Sequence, residues 1–253
     1  AQELAKIIKE DNVVVISAQK SSLYNDFHIT GSISLPPSIL VNNDPLPYML
    51  KDVAEMEQIL GDNGVSQTNQ IIIYDEGSFK YSGRVYWKLK YLGVADVKIL
   101  NGGIEAWKAI RKPVTSSPTK RKATTFTASV QEQYLANLDE VKKAVSNPGY
   151  VIIDARSDAE YSGTDETSLR PGHIPSAVHI NYEDIIASSG AIKTAEQLTA
   201  LYAAKGVTPD KTVIIYCKTS VRAAIEFTAL NSVLGYENVK VYDGAFVEWS
   251  ADM

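Results

Sequence analysis

The chain is an internal duplication, and this feature limits the folds open to it more than any other. The segment IIIYD at 71–75 matches VIIYC at 213–217, and LG follows at the same distance in both copies. Two more pairs agree, VKILNGG at 97–103 with VKVYDGA at 239–245, and VVVISAQ at 13–19 with YVIIDAR at 150–156. Single residues also correspond, namely Tyr24, His28 and Trp107 with Tyr161, His173 and Trp249. This agreement over most of each half predicts two homologous domains.

Within each copy, short runs of valine and isoleucine alternate with helical patterns. Continuous apolar runs are typical of strands covered on both faces, which indicates a mainly parallel sheet flanked by helices. The helical patterns place apolar residues on one face, namely Val53, Met56 and Leu60 in the first copy and Leu135, Leu138, Val141 and Val145 in the second. The sequence therefore predicts an α/β protein with two similar domains side by side.

The predicted domains cover residues 1–112 and 134–253. Between them, residues 113–133 are rich in serine, threonine, lysine and proline and lack a sustained apolar period. Such a composition is typical of a connecting segment.

Composition narrows the function classes. A net charge of −5 gives no indication of a nucleic-acid surface, and no apolar run approaches the roughly 20 residues of a membrane span. Three scattered histidines and one cysteine lack metal-ligand spacing, so we expect no metal, no cofactor, and neither a membrane nor a nucleic-acid partner. The sequence starts at Ala1, which fits a periplasmic protein if a signal peptide was cleaved and a cytoplasmic one otherwise.

The one cysteine, Cys217, stands between the apolar run 212–216 and a new helical pattern at 223–230. In open α/β sheets, ligands bind where strands end and helices begin. Backbone N–H groups and the helix dipole there favour an anion, and hence a thiolate. Taken alone, a single cysteine is as well explained as a small buried hydrophobe. Its Cys-x4-Arg context, with Arg222 five positions on, favours a nucleophile.

The two copies differ where this chemistry would lie. Asp75 replaces the cysteine and Lys80 replaces Arg222, while Ser17 and Gln19 stand where the second copy has an aspartate and an arginine. We therefore expect the first domain to be catalytically silent and to serve as a structural partner that closes one side of a cleft.

Taken together, these motifs resemble the tandem-domain rhodaneses, a family of sulfurtransferases. The resemblance covers nearly the whole chain and depends on DAR at 154–156, EYSG at 160–163, GHIPSA at 172–177, the loop 217–222, and DG at 243–244 with Trp249. The family pattern is an inactive first domain and a second domain with the cysteine. One departure is Ser176, where the family commonly has glycine, and we expect no functional consequence from it.

The resemblance implies that Cys217 takes a sulfane sulfur from thiosulfate and hands it to cyanide or a thiol through a persulfide. The substrate-binding loop would comprise Lys218, Thr219, Ser220, Val221 and Arg222. Its N–H groups would surround the sulfur, with Arg222 fixing the loop or holding a donor oxygen and Lys218 steering anions.

The supporting residues in this interpretation are Asp154, Arg156, Glu160 and His173. Asp154 and Arg156 would form an ion pair or loop anchor, and His173 would support its turn through hydrogen bonds. Relatives that use 3-mercaptopyruvate, and some that use thiosulfate, carry arginine at the position of Glu160, and the glutamate resembles a bacterial thiosulfate-type subgroup. The glutamate would repel a carboxylate substrate, unless Arg170 in the inserted stretch 164–170 compensates.

Three other readings remain open. The chain could be a 3-mercaptopyruvate sulfurtransferase, a cysteine-dependent phosphatase, or a non-catalytic rhodanese-like binding module. Cysteine phosphatases need the longer Cys-x5-Arg loop to surround a phosphate, and binding modules usually lack the cysteine. Both points favour a sulfurtransferase that acts on small-molecule donors and acceptors.

Overall fold

The computed structural model describes residues 1–166 and 170–252 of the chain. It contains two compact units. The first comprises Ala1–Val41 and Leu50–Gln131, and the second comprises Asn42–Met49 together with the chain from Glu132 onward.

The first unit is organised around a parallel sheet. The strands up to residue 115 are β1 Val13–Ser17, β2 His28–Ile29, β3 Ile33–Ser34, β4 Val41–Asn42, β5 Met49–Leu50, β6 Gln70–Tyr74, β7 Val97–Ile99 and β8 Val114–Thr115. Four of them form a sheet in the order β3-β1-β6-β7, and every neighbouring pair is parallel. All five residues of β1 are buried, as expected for a strand covered on both faces.

Five α-helices accompany these strands. They are α1 Leu4–Ile7, α2 Ser21–Asp26, α3 Val53–Asp62, α4 Lys80–Tyr91 and α5 Gly103–Ala109. Met56 and Leu60 of α3 are fully buried, so the predicted apolar face of this helix is the one that packs inward.

The second unit repeats this plan with one more strand. Its strands are β9 Leu135–Ala136, β10 Tyr150–Asp154, β11 Val178–His179, β12 Thr212–Tyr216 and β13 Val239–Tyr242. They form a parallel sheet in the order β11-β10-β12-β13-β9. The helices are α6 Leu138–Ala144, α7 Asp158–Ser162, α8 Ala195–Ala203, α9 Ala223–Phe227 and α10 Ala245–Asp252. The predicted α/β fold, with two homologous parallel-sheet units, is confirmed.

One helix begins later than predicted. Leu135 lies in β9, which pairs with β13, and does not share the face of Val141 in α6. The cause is Asn137, whose side chain accepts a hydrogen bond from the backbone N–H of Glu140 and caps the helix there. The prediction of one apolar helix face from 135 to 145 was therefore wrong at its first position.

The chain from 113 to 131, predicted as a linker, belongs to the first unit. Thr124 N–H donates to the carbonyl of Gly61 at 2.9 Å, and Ser129 N–H donates to the carbonyl of Leu92 at 3.0 Å. A Cβ on Gly93 would lie 2.3 Å from the Ser129 carbonyl oxygen, so the close approach requires glycine. These backbone bonds need no apolar period, which explains why the sequence pattern did not indicate them.

No helix in the described part of the chain is both long enough and apolar enough to cross a membrane.

Candidate active site

The candidate nucleophile lies at the carboxyl end of a central strand. Cys217 follows β12 directly and is 1% exposed, and α9 begins six residues later. Of the loop between them, Lys218 is exposed, Thr219 and Val221 are half-buried, and Ser220 is fully buried. The strand-to-helix turn predicted around the cysteine is therefore present, although the loop residues face different surroundings.

Arg222, the last residue of the loop, forms a two-pronged ion pair with Glu160 of α7. Its Nη1 lies 2.6 Å from Oε2 of Glu160, and its Nη2 lies 2.8 Å from Oε1. Both side chains are largely buried, at 20% and 10% exposure. Parallel N–H···O bonds of this kind are the strong, direction-specific form of an arginine–carboxylate contact. The loop is thereby fixed at its end to the start of α7.

The same contact corrects the expected role of Glu160. Burial alone would raise the pKa of this carboxyl. The guanidinium of Arg222 and the N–H and hydroxyl of Ser157 outweigh burial and lower the pKa to about 2. The carboxylate also completes a capping box at the start of α7 with Ser157. Glu160 is thus ionised but paired with a cation, and the prediction that it presents an uncompensated negative charge was wrong.

Beneath the loop lies a buried network around Asp154. Arg156 contacts its carboxylate through Nε at 3.0 Å and through Nη2 at 2.6 Å, and the hydroxyl of Tyr216 donates to it at 2.6 Å. Arg156 also donates to the carbonyl of Gly172 at 2.8 Å. Because Tyr216 precedes the cysteine in the chain, this ion pair anchors the strand end that carries Cys217. It is a fixed scaffold rather than a group free to react.

His173 lies outside the loop, against the ring of Tyr161. The two ring centroids are 3.8 Å apart, and the histidine Nδ1 lies 2.9 Å from the carbonyl of Tyr161. His179, which the sequence did not single out, stacks on the same tyrosine at 4.6 Å. Its Nε2 lies 2.9 Å from the carbonyl of Arg156. Both histidines thus brace the turns that surround the Asp154 network.

A small pocket opens beside the loop. Its lining includes two exposed cations, Arg170 and Lys218, together with Arg156, Glu160, Phe246, Val247 and Ser250. Since Glu160 is neutralised by Arg222, the pocket as a whole favours an anion. Of the insertion 164–170, residues 167–169 lie outside the described part of the structure. Among the described residues, no group of three or more histidine, cysteine, aspartate or glutamate side chains could hold a metal ion.

In the first unit, the position of the cysteine is filled by a carboxylate. Asp75 Oδ1 accepts hydrogen bonds from the N–H groups of Gly77 and Phe79, at 2.8 and 3.2 Å. Its Oδ2 accepts from the N–H and the hydroxyl of Ser82, at 3.0 and 2.9 Å. Burial, and to a lesser degree the neighbouring Glu76, raises the pKa of this group. The loop of the first unit is therefore an anion cradle occupied by its own side chain.

The family model described as a rhodanese-like domain matches residues 1–110 and again residues 137–252. The chain belongs to the rhodanese family. Two matched segments make it a tandem member, and its function is that of a sulfurtransferase acting on small-molecule sulfur substrates.

Rhodanese relatives with two kinds of name resemble the chain about equally. A Mycobacterium leprae protein named "Putative thiosulfate sulfurtransferase" is 32% identical over 95% of this chain and 89% of its own length. The 3-mercaptopyruvate sulfurtransferase of Escherichia coli is 31% identical over 99% of this chain and 94% of its own. A crystal structure of SseA from Escherichia coli, described as a 3-mercaptopyruvate sulfotransferase, superimposes with a TM-score of 0.88 at 29% identity, covering 96% of both chains.

Sequence reasoning located the rhodanese loop and the residues beneath it but missed how they are joined. The ion pair of Glu160 and Arg222 joins residues 62 positions apart, and neither residue's type indicates the other. The only available signal was the S-x-x-E pattern at 157–160, which predicts a capping box and so a carboxylate turned back toward the start of α7. Tyr216 carried no signal, because it reads as one more apolar residue of β12.

Proposed function

We propose that the chain transfers a sulfane sulfur from thiosulfate to a thiophilic acceptor, cyanide or a thiol, through a persulfide on Cys217. The observation that carries this proposal is the loop that starts at Cys217 and is fixed at its other end by the Arg222–Glu160 ion pair. It holds the chain's one thiol at the end of β12, where backbone N–H groups and a fixed cation favour a sulfur anion.

The chemistry proceeds in two displacement steps. The Cys217 thiolate attacks the outer sulfur of thiosulfate, the S–S bond breaks, and sulfite leaves with the electron pair. Cyanide then attacks the terminal sulfur of the persulfide, and thiocyanate departs as the thiolate is regenerated. No oxidant or reductant is consumed, and the enzyme alternates between two covalent forms.

Two cations support this cycle in different ways. Burial lowers the pKa of Arg222, but the hydrogen bond to Glu160 and the charge of a Cys217 anion outweigh burial and raise it, so the guanidinium beside the sulfur stays charged. Lys218 is exposed at the entrance and attracts the dianionic donor as a point charge. Glu160 holds Nη1 and Nη2 of Arg222 in place, and the arginine acts on the sulfur through its charge and a side-chain hydrogen bond to Cys217.

The pairing of Arg222 also argues against a phosphatase. A cysteine phosphatase uses the arginine at the end of its loop to grip two phosphate oxygens, which needs a free fork of N–H donors. Here one N–H on each of Nη1 and Nη2 is engaged by Glu160, and the loop is one residue shorter. The cysteine in the second unit likewise argues against a purely non-catalytic binding module.

A second candidate donor is 3-mercaptopyruvate, and the pocket beside the loop favours it. Arg170 and Lys218 line this pocket, and the charge of Glu160 is compensated, so the carboxylate of mercaptopyruvate would not be repelled. An uncompensated charge on Glu160 would disfavour a carboxylate donor by roughly 1–3 kcal/mol, about ten- to hundredfold, and the ion pair with Arg222 removes that penalty.

Initial rates decide between the donors. We expect higher kcat/KM for thiosulfate, because a small dianion suits a thiol that is only 1% exposed. Arg170→Ala should lower kcat/KM for mercaptopyruvate more than for thiosulfate, whereas Lys143→Ala, which removes a charge from exposed α6, should affect neither. A native preference for mercaptopyruvate that Arg170→Ala abolishes would reverse the assignment of the donor.

Intact mass tests the persulfide directly. After treatment with thiosulfate, the protein should carry one additional sulfur that cyanide removes. Cys217→Ser should show neither the adduct nor turnover, because no other cysteine exists in the chain. An unchanged wild-type mass under excess donor contradicts the mechanism.

A further inference from the structure

The outer side of the Cys217 loop is held by the corner between β13 and α10. The N–H of Phe246 donates to the carbonyl of Cys217 at 2.9 Å, and the N–H of Val247 donates to the carbonyl of Lys218 at 3.3 Å. In a planar trans peptide the N–H points opposite to the carbonyl. The N–H groups of Lys218 and Thr219 therefore point away from this corner, as a loop that surrounds an anion requires.

Ser220 fastens the middle of the loop to the same corner. Its side chain is fully buried, and its Oγ lies 2.6 Å from the carbonyl oxygen of Tyr242 and 2.9 Å from that of Asp243. Both partners are acceptors, so the single hydroxyl proton is committed to them and is not available to a substrate. The sequence had placed Ser220 among the substrate-binding residues, but its hydroxyl is turned toward the protein.

The backbone at Ser220 also needs such a contact. Its φ is +60°, in the left-handed region that residues other than glycine rarely adopt. A conformation of this kind persists only when surrounding contacts hold it. The two carbonyl oxygens of the corner supply those contacts, and the left-handed turn at Ser220 changes the direction of the loop between Cys217 and Arg222.

The first unit lacks this attachment, although it keeps one backbone bond of the corner. The N–H of Ile104 donates to the carbonyl of Asp75 at 3.0 Å, which corresponds to the bond from Phe246 to Cys217. Ser78, the counterpart of Ser220, instead directs its hydroxyl to Oε1 of Glu76, at 2.6 Å. Of these two aligned serines, only Ser220 donates its hydroxyl to the corner after the sheet strand.

We infer that Ser220 is a positioning residue for sulfur transfer. Its hydroxyl fixes the left-handed turn of the loop, and that turn directs the loop N–H groups toward the sulfur of Cys217. Loss of the hydroxyl lets these peptide groups rotate, which weakens stabilisation of the thiolate and of the persulfide. The thiolate part stands on the loop geometry alone, and only the persulfide part rests on the proposed function.

The test measures Cys217 without any sulfur donor. Because the chain has one cysteine, its alkylation by iodoacetamide and the ultraviolet absorbance of its thiolate at neutral pH both report this residue, with Cys217→Ser as the blank. We expect Ser220→Ala to slow alkylation about tenfold and to reduce the thiolate signal, since a thiolate rather than a thiol is the nucleophile.

Two further variants separate positioning from strain. Ser220→Gly accepts a positive φ but has no hydroxyl, so it should lose reactivity as Ser220→Ala does. Ser78→Ala, the matched change in the first unit, should react like the wild type. Wild-type reactivity in Ser220→Gly would overturn the inference, as would an equal loss in Ser78→Ala. Normal alkylation with no persulfide under thiosulfate would instead count against the proposed function.

Discussion

At the scale of single residues, the backbone at Ser176 shows what a side chain costs in an unfavourable conformation. Its φ is +66°, while Gly31, at the matching position of the first copy, has a φ of +89°. An L-residue in this region costs roughly 1–2 kcal/mol relative to the right-handed region. The family's usual glycine at this position thus has a conformational explanation, and the serine is held in a strained backbone conformation.

Ser176→Gly should therefore stabilise the protein. Relief of the positive φ is partly offset by the greater freedom of glycine in the unfolded chain, about 0.4–1 kcal/mol, which leaves a net gain of about 0.5 kcal/mol. Thermal unfolding should show a rise of one or two degrees with unchanged activity.

The reverse change at Gly31 serves as the control. No atom lies within 4 Å of a Cβ built there, so Gly31→Ala introduces backbone strain without a clash and should lower the melting temperature. A fall in Ser176→Gly, or a rise in Gly31→Ala, would contradict this account.

At the scale of elements, the helix that follows the cysteine loop contains a buried acid. Glu226 of α9 is fully buried, accepts a hydrogen bond from the hydroxyl of Tyr202 in α8, and has no hydrogen-bond partner on its other oxygen. Burial, with a smaller contribution from Asp184, raises the pKa of Glu226 to about 8. The folded protein thus keeps this carboxyl protonated at neutral pH.

Stability should fall as the pH rises because of this group. An unfolded chain releases the proton near pH 4.5, so the free energy of unfolding contributed by Glu226 is largest below that value and declines until pH about 8. This contribution to the free energy of unfolding declines by at most about 3–5 kcal/mol. Glu226→Gln removes it, so the variant should gain several degrees in melting temperature over the wild type between pH 5 and pH 8.

The matched control is Glu196→Gln, which changes an exposed acid at the start of α8. Its melting temperature should differ from that of the wild type by the same amount at every pH. A difference between Glu226→Gln and the wild type that stays constant from pH 5 to pH 8 would show that Glu226 is already ionised in the folded protein.

The elements themselves were largely predictable, and the exceptions have physical causes. The runs at 150–154 and 212–216 became central strands, because strands covered on both faces consist mostly of apolar residues. The match between 71–93 and 213–235 has no gap, yet it conceals a difference. In the first unit α4 starts at Lys80, whereas in the second α9 starts at Ala223 and continues as a π-helix over Thr228–Val233. At matched positions the two helices start within one residue of each other, so the difference lies in the π-helical turn, which an alignment cannot show.

The site was predictable in position but not in its contacts. Cys217 and Arg222 are linked by local spacing, so the loop could be located from the sequence. The partner of Arg222 lies on α7, and those of the Ser220 hydroxyl lie at the end of β13, so both depend on the packing of the unit. The prediction that Glu160 repels a carboxylate was wrong for this reason. The sequence shows that the residue is negative, but it does not show that Arg222 pairs with it.

At the scale of the whole molecule, the loop after the central strand has a different role in each copy. In the first unit a carboxylate satisfies four donors permanently, and in the second a thiol occupies the matching position. The first loop is therefore already filled, and we expect no sulfur chemistry from it. The first unit also lacks the buried ion pair of Asp154 and Arg156. At the matching positions, the hydroxyl of Ser17 donates a hydrogen bond to the side chain of Gln19 at 3.0 Å.

Asp75→Ala tests this division. The change leaves donors of Gly77, Phe79 and Ser82 without an acceptor, so it should lower stability by about 2–4 kcal/mol. The specific activity of the folded protein should stay within about twofold of the wild type, whereas Cys217→Ser should abolish it. The measurement is turnover well below the melting temperature, alongside thermal unfolding. Equal losses of activity in the two variants would show that the first unit takes part in catalysis.

The first structural unit extends beyond the duplicated sequence, because it includes the segment 113–131. A fragment cut at residue 112, where the duplicated pattern ends, would lack buried Phe126 and the backbone donors that reach Gly61 and Leu92. It would expose apolar surface and leave those carbonyl groups to solvent. A cloning boundary at residue 131 keeps the first body whole, and any shuffling of repeats between relatives would have to move these nineteen or so residues with it.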